Sequence, residues 1–450
     1  MSSAAAKRPL LKLLAVACCA GTLFHSGSAS AIGLLQAYQA ALVNDPTYRS
    51  AFFDAESGKE YKALGRSGLL PNISGNYSFS KNRADQTTET VLGPDLTHPR
   101  YLSRSASIQL RQVLFSLDAL ARYKQGVAQS QYSEAQFSSQ GQDLILRLTG
   151  AYLEAALGTE QVRLATAQRD AQREQMASNN KMFEKGEGTR TDMLETQARL
   201  ELSEAQVLEA KDAQLTSMNT LESLVGEPIE SLDELGATFR LRPVLPESFE
   251  DWKAMALKNN PDLDAQRFAI ESSRQEVNKN RAGHTPRVDF VSSYSKSTAE
   301  SLNTYNQEST NRSIGVQINI PLYAGGAVSA STRQAVANFE KNKSDLELKT
   351  GKVMVELRKQ YNGVISSAAR IAALDKALAS AELLLTATAQ SIKGGVRVNL
   401  DLLNAQQQFY TTKRDLTQAR YNYLIGMLRL RAAAGVLGLD DVREAANYFN

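Results

Sequence analysis

From Asn72 the chain alternates with a period of two. Ile73, Gly75, Tyr77 and Phe79 take one face, and Asn72, Ser74, Asn76, Ser78 and Ser80 the other. The same alternation sets Ala106, Ile108 and Leu110 against Ser105, Ser107, Gln109 and Arg111. It sets Val288, Phe290 and Tyr294 against Asp289, Ser293 and Ser295, and Ile314, Val316, Ile318 and Ile320 against Ser313, Gly315, Gln317 and Asn319. That period belongs to strands with one apolar face. Four strands are predicted, over 72–82, 102–115, 287–297 and 312–323. Each is about 10 residues, long enough to cross a bilayer at a tilt.

Elsewhere the period is helical. Residues 117–184, 190–226, 327–393 and 399–434 are dense in Ala, Gln, Leu, Glu and Arg, all good helix formers. At 1.5 Å per residue the first and third reach about 100 Å and the second and fourth about 50 Å. Tip turns fall at Gly186 and Gly188, and at Gly394 and Gly395. Shorter helices, 47–66 and 262–282, follow Asp45-Pro46 and Asn260-Pro261, a residue pair suited to a helix start. A returning helix of half length covers only half its partner, so each short helix is expected to stack end to end with it. Four helices per chain then stand in cross-section, with small Ala stripes suited to close packing.

These elements come in two copies. Arg66-Ser67-Gly68-Leu69-Leu70-Pro71 returns as Arg281-Ala282-Gly283-His284-Thr285-Pro286, and all 11 prolines avoid 100–227 and 322–450. The chain is expected to divide into a signal, 1–31, a first repeat, 32–249, a second repeat, 250–434, and a C-terminal segment, 435–450. Segments 227–250 and 435–450 read as connectors outside the main cylinder. Pro71, Pro286, Pro321, Gly325 and Gly326 read as strand–helix hinges, and the lone Trp252 as core or connector packing.

Lys7, Arg8 and Lys12, the apolar run Leu13–Phe24 and Ala29-Ser30-Ala31 form a secretion signal. Both cysteines, Cys18 and Cys19, lie inside it, which excludes disulfides and thiolate chemistry from the mature chain. The lipoprotein alternative is poorly supported by the residues before either cysteine. Without the three basic residues the net charge falls from +3 to about zero, and no basic stripe points to nucleic acid. No apolar run reaches the ~18 residues of a membrane helix, although a β-barrel leaves a much weaker trace. His98 and His284 are the only mature histidines, and no nucleophile–base spacing or phosphate loop appears. An enzyme is not expected, nor a cofactor or metal.

The strand pattern suits lipid on one side and a wet lumen on the other, with polar loops at 81–100 and 299–312. A half-buried soluble sheet has the same alternation, and export favours the membrane. Four strands do not close a barrel, since about eight are needed. Two copies of the chain give eight strands with a filled interior, three give twelve with a channel. A coiled-coil rod is the plainer alternative, and it leaves the inserted strands unexplained.

These residues resemble the TolC family of outer-membrane export ducts over essentially the whole mature chain. The likeness is carried by the duplicated Gly-x-x-Pro before each first strand, by Ile320-Pro321-Leu322-Tyr323-Ala324-Gly325-Gly326 and by Ala419-Arg420-Tyr421-Asn422-Tyr423-Leu424. The resemblance implies a homotrimer in the Gram-negative outer membrane with a long periplasmic portion. Its mainly α fold would combine an α-barrel with a 12-stranded β-barrel. It implies a periplasmic adaptor and an inner-membrane ABC transporter as partners, with an exported polypeptide in transit through the type I secretion branch. The drug-efflux branch is the alternative. It also implies a periplasmic gate at the helix tips. There Asp401 and Arg397 match family gate residues, Asn404 replaces a second Asp, and Ile392 replaces a tyrosine. Asp192 and Arg190 of the first tip, with Lys393, are further gate candidates, although Asp192 also reads as a helix N-terminal acid.

Overall fold

The computed structural model describes residues 31–236, 239–299, 307–394 and 396–449. The predicted signal lies outside them apart from Ala31, as does Gly395. The first repeat runs α1 (Leu34–Asn44), α2 (Pro46–Ser67), β1 (Asn72–Arg83), β2 (Gln86–Thr90), β3 (Gly93–Thr97), β4 (Arg100–Phe115), α3 (Leu117–Glu184) and α4 (Arg190–Val225). The second runs α5 (Phe249–Asn259), α6 (Pro261–Arg281), β5 (Arg287–Ala299), β6 (Gln307–Asn319), α7 (Ala327–Lys393) and α8 (Asn399–Ala433), followed by α9 (Leu439–Ala446).

One antiparallel sheet has the order β1-β4-β5-β6, and the β4–β5 pairing joins the repeats. Its register keeps the faces distinct: Gly75 pairs with Ile108, Ile108 with Tyr294, and Phe290 with Val316. On the opposite face hydroxyls meet across the strands, Ser78 with Ser105 at 2.8 Å and Ser293 with Ser313 at 2.7 Å. At the base of that face Arg111 and Arg287 each donate from Nε to the buried Asp289 carboxylate at 3.0 Å.

Two stretches differ from the sequence expectation. The polar loop 81–100 is largely strand, because β1 and β4 extend into it and β2 pairs with β3 beyond them. Thr87, Thr88 and Thr90 are β-branched, which favours strand geometry without any apolar face to reveal it. The last strand starts earlier than 312 and stops at Asn319, not Tyr323. Pro321 has no N–H for the ladder, so the pairing ends ahead of it.

Helices α2, α3, α6 and α7 pack side by side next to the sheet, and α4, α3, α8 and α7 do so further away. Each chain thus presents four helices at either level, because α2 continues the line of α4 and α6 that of α8. The junctions are capped. Asp45 accepts from the N–H groups of Thr47 and Tyr48 to start α2, and Asn44 Nδ2 donates to Val225 O at the end of α4, 2.7 Å away. In the second repeat Asn260 serves both ends. It accepts from Asp262 and Leu263 N–H and donates to Ala433 O at 3.1 Å.

The apolar core surrounds these junctions. Leu144, Leu148, Tyr152 and Ala155 of α3 meet Leu416, Tyr423 and Leu430 of α8, together with α1 and α9. The connectors close over it as a belt. Ile32 N–H donates to Ser231 O, Tyr152 OH to Ile32 O, and Gly236 N–H to Tyr448 O. Trp252 is buried in α5 and donates to Pro246 O at 2.7 Å. The C-terminal segment is more than a connector. Glu444 of α9 accepts a hydrogen bond from Arg431 at 2.8 Å and pairs with Arg242 at 2.9 Å.

Burial alone would raise the Asp45 carboxyl, but the hydrogen bond and charge of Arg147, 2.8 Å away, and the N–H groups of Thr47 and Tyr48 outweigh it. The carboxyl is therefore held below its ordinary value. A depressed carboxylate contributes stability above its unfolded value, near pH 4, and loses it as pH falls through the folded one. Asp45→Ala removes the cap and one partner of Arg147, which keeps Asp143. A loss of about 2 kcal/mol is expected, read as a lower midpoint of helical circular dichroism on heating. Asp45→Asn, which copies the second repeat, should keep most of the cap and lose the acid-dependent component.

Candidate functional site

The two helix tips lie at the end of the molecule away from the sheet. In the first, Gly186 adopts φ +76°, which lets Glu187 N–H reach back to Met182 O at 2.9 Å and close α3. Thr189 then caps α4. Its hydroxyl accepts from Asp192 N–H at 3.1 Å and donates to the Asp192 carboxylate at 2.6 Å, and the carboxylate accepts the Thr189 N–H at 3.3 Å. Asp192 is thus one half of a reciprocal capping box. Arg190 is exposed beside it, and Gly188 packs against Met182 and Phe183.

At the second tip Val396 N–H bonds Ser391 O at 3.0 Å, the counterpart of the Glu187 closure, and Gly394 ends α7 with φ −82°. Val398 occupies the N-cap of α8, where Thr189 stands in the first tip, and supplies no side-chain oxygen. Asp401 therefore sits in the first turn of α8, half-buried, without a capping box. Arg397 is exposed on the turn. Asn404 is exposed and accepts weakly from Arg199 at 3.4 Å, while Ile392 is half-buried near the end of α7. At the other end, Pro71, Pro286 and Pro321 stand where strand meets helix, and Gly325 and Gly326 take φ +60° and +81° to start α7.

The structure brings the two tips together through Thr196, which the sequence reading did not single out. Its buried hydroxyl donates to Asp192 O at 2.8 Å and accepts from Asn179 Nδ2 at 2.7 Å and Asn399 Nδ2 at 3.2 Å. Gln175 bridges Asn179 and Asn399, both at 2.9 Å. The link then runs up the α3–α8 seam as amide pairs. Gln172 donates to Gln406 at 3.1 Å, Gln168 to Gln407 at 3.1 Å, and Gln161 to Gln418 at 3.3 Å. The signal was present in the spacing. Gln161, Gln168 and Gln175 recur every seven positions, one stripe of a helix.

Neutral amide pairs contribute about 1 kcal/mol each in net terms, and water can replace them when they part. The seam near the tips can therefore separate far more cheaply than the apolar packing around Leu148. Thr196→Val keeps the side-chain shape but leaves the buried Asn179 amide and the half-buried Asn399 amide without their acceptor. Amide exchange across 180–200 is expected to speed up about tenfold, a loss of about 1.4 kcal/mol locally. Exchange across the α3 core, 144–157, should stay unchanged in the same mass-spectrometric experiment.

The sequence model of a family described as outer membrane efflux protein matches residues 37–227 and 252–436. The alkaline protease secretion protein AprF of Pseudomonas aeruginosa is 43% identical over 423 residues, 94% of this chain and 88% of that protein. The proteases secretion protein PrtF of Dickeya chrysanthemi is 39% identical over 431 residues, 94% of this chain and 92% of that one. A crystal structure of the channel protein CusC superposes with a TM-score of 0.77 at 16% identity, covering 92% of this chain and 95% of that one, a likeness of fold. With both halves matched and close relatives along nearly its whole length, the chain belongs to the outer membrane efflux protein family, the TolC-like proteins of the outer membrane.

Proposed function

We propose that the chain is the outer-membrane duct of a type I secretion system. It would act as a homotrimer that carries a polypeptide from an inner-membrane ABC transporter, through a periplasmic adaptor, to the exterior. The observation that carries this reading is the full-length likeness to two protease-secretion proteins. The sheet supports the trimer. Among the described residues its edge strands β1 and β6 pair on one side only, and unprotected edges of that length seek partners. Edge-to-edge closure by three copies gives twelve strands and an aqueous lumen lined by the serine face.

The helix tips are the gate in this reading. The amide seam holds α7–α8 against α3–α4 at rest, and its low cost of separation lets the tips part when the pump complex docks. Three Asp401 side chains around the axis place negative charge at the entrance and favour cations. Asn404 leaves the ring without a second acid. Asp192 adds its charge to the entrance as well, but its carboxylate is held against Thr189, which leaves it less able to turn toward a passing ion. Pro321, Gly325 and Gly326 set the angle at which the barrel wall turns into α7.

Deleting the gene should abolish export of one or more secreted proteins and leave drug susceptibility near wild type. Unchanged secretion with heightened drug sensitivity would transfer the chain to the efflux branch. In planar bilayers the purified protein should form pores, and Asp401→Asn should lower the cation-to-anion permeability ratio by roughly twofold. An unchanged ratio would remove Asp401 from the entrance.

A further inference from the structure

Away from the Asp289 cluster, the charges of the sheet lie on the unexpected face. Along β1 the apolar face runs Ile73, Tyr77, Phe79 and then, in the same alternation, Lys81 and Arg83. The register carries that face onto Arg100 and Arg104 of β4, Lys296 of β5 and Arg312 of β6. All six are exposed, and within these strands Glu308 is the one acid on the same face, paired with Lys296. The opposite face at this level carries Ser80, Asn82, Ser103, Ser295, Ser297 and Asn311, with no charge. A water-filled lumen would solvate charge readily, whereas here the cations stand on the side that continues the apolar band.

Their height along the strands is informative. From Leu114 to Ala106 the β4 apolar face spans nine residues, eight steps or about 27 Å along the strand and about 20 Å along the membrane normal at a tilt of about 40°. The basic residues begin where this band ends. Arg104 lies 5.5 Å from the Phe79 ring and Arg312 5.7 Å from the Tyr294 ring, so both stems follow the aromatic edge outward. Arg83 and Arg100 stand directly opposite each other on neighbouring strands. Like charges in that position cost stability unless an anion lies between them.

We infer that this outward-facing basic band binds the phosphate groups of a phosphorylated lipid in the outer leaflet of the membrane. The inference rests on the reading of the sheet as membrane wall. The acyl chains meet the Ile and Phe band, while the phosphates sit between the guanidinium groups, which hold such oxyanions in two-pronged fashion. The result is a headgroup collar around the barrel rim.

The test uses the full-length protein purified in a non-ionic detergent. It is incubated with lipid A, a phosphorylated glycolipid, or with the same glycolipid stripped of phosphate, and retained lipid is counted by native mass spectrometry. Lipid A should be retained about tenfold more than its dephosphorylated form, and sodium chloride should weaken its retention. The combined variant R83Q/R100Q/R104Q should lose that preference, and R83K/R100K/R104K should keep most of it. Equal retention of the two lipids, or equal retention by the two variants, overturns the inference. Conductance in planar bilayers is measured on the same preparations. Wild-type pores without phosphate preference overturn the collar alone, and absence of wild-type conductance overturns the duct reading and the collar with it.

Discussion

A helix end leaves several N–H or C=O groups without intrahelical partners, and it cannot be buried unless they find others. This chain buries such ends in the middle of its helical wall. The C-terminus of α4 meets the N-terminus of α2, and α8 meets α6 in the same way. Asn44 and Asn260 satisfy the carbonyls, Asp45 and Asn260 the amides. The dipoles also run head to tail, so the negative end of one helix faces the positive end of the next. Gly226 and Gly435 make room for the turn. Both have left-handed φ, +79° and +74°, and a Cβ at either would fall 2.6 Å from Asn44 Cβ or 2.5 Å from Asn259 O. Without these junctions the wall would lose a helix from each repeat beyond the reach of α4 and α8.

Much of this was legible in sequence because the physics is periodic. Alternation marked the four long strands, and Asn-Asp-Pro with Asn-Asn-Pro marked the junctions. The hairpin β2–β3 was illegible since threonine-rich strands exposed on both faces carry no hydrophobic period. Helix α9 leaves no legible period because eight residues hold barely two turns of pattern, although Val442 and Ala445 are buried. The tips show a subtler limit. Asp192 and Asp401 occupy equivalent positions, yet Thr189 gives the first a capping partner and Val398 denies it to the second. Spacing alone puts them in equivalent places, whereas the residue three positions earlier decides which carboxylate is tied into a capping box.

The chemistry of the helical wall changes along its length. Around the belt α3 and α8 share Leu, Ala and Tyr side chains, whose separation would expose apolar area at about 25 cal/mol per Å². Toward the tips the same two helices share Gln and Asn pairs, whose separation exchanges protein hydrogen bonds for water. One pair of helices thus forms a fixed anchor at the belt and a separable seam below it. In the gate proposed above, movement at the tips would need no break in either helix, only parting of the polar stretch.

The sheet follows the complementary logic. Its polar face is built from serine hydroxyls that satisfy one another across strands, so it tolerates water without carrying a strong field of its own. Charge is confined to the Asp289 cluster at its base and to the band that continues the apolar face at its rim. In the duct proposed above, a translocating polypeptide of arbitrary sequence would meet a neutral, hydrogen-bonding wall between these two levels. A wall with fixed charge of either sign would retain segments of the opposite sign, and a wall with apolar patches would retain unfolded hydrophobic ones. Neutral hydroxyls do neither, which makes the serine face a reasonable surface for a passage that must release everything it admits.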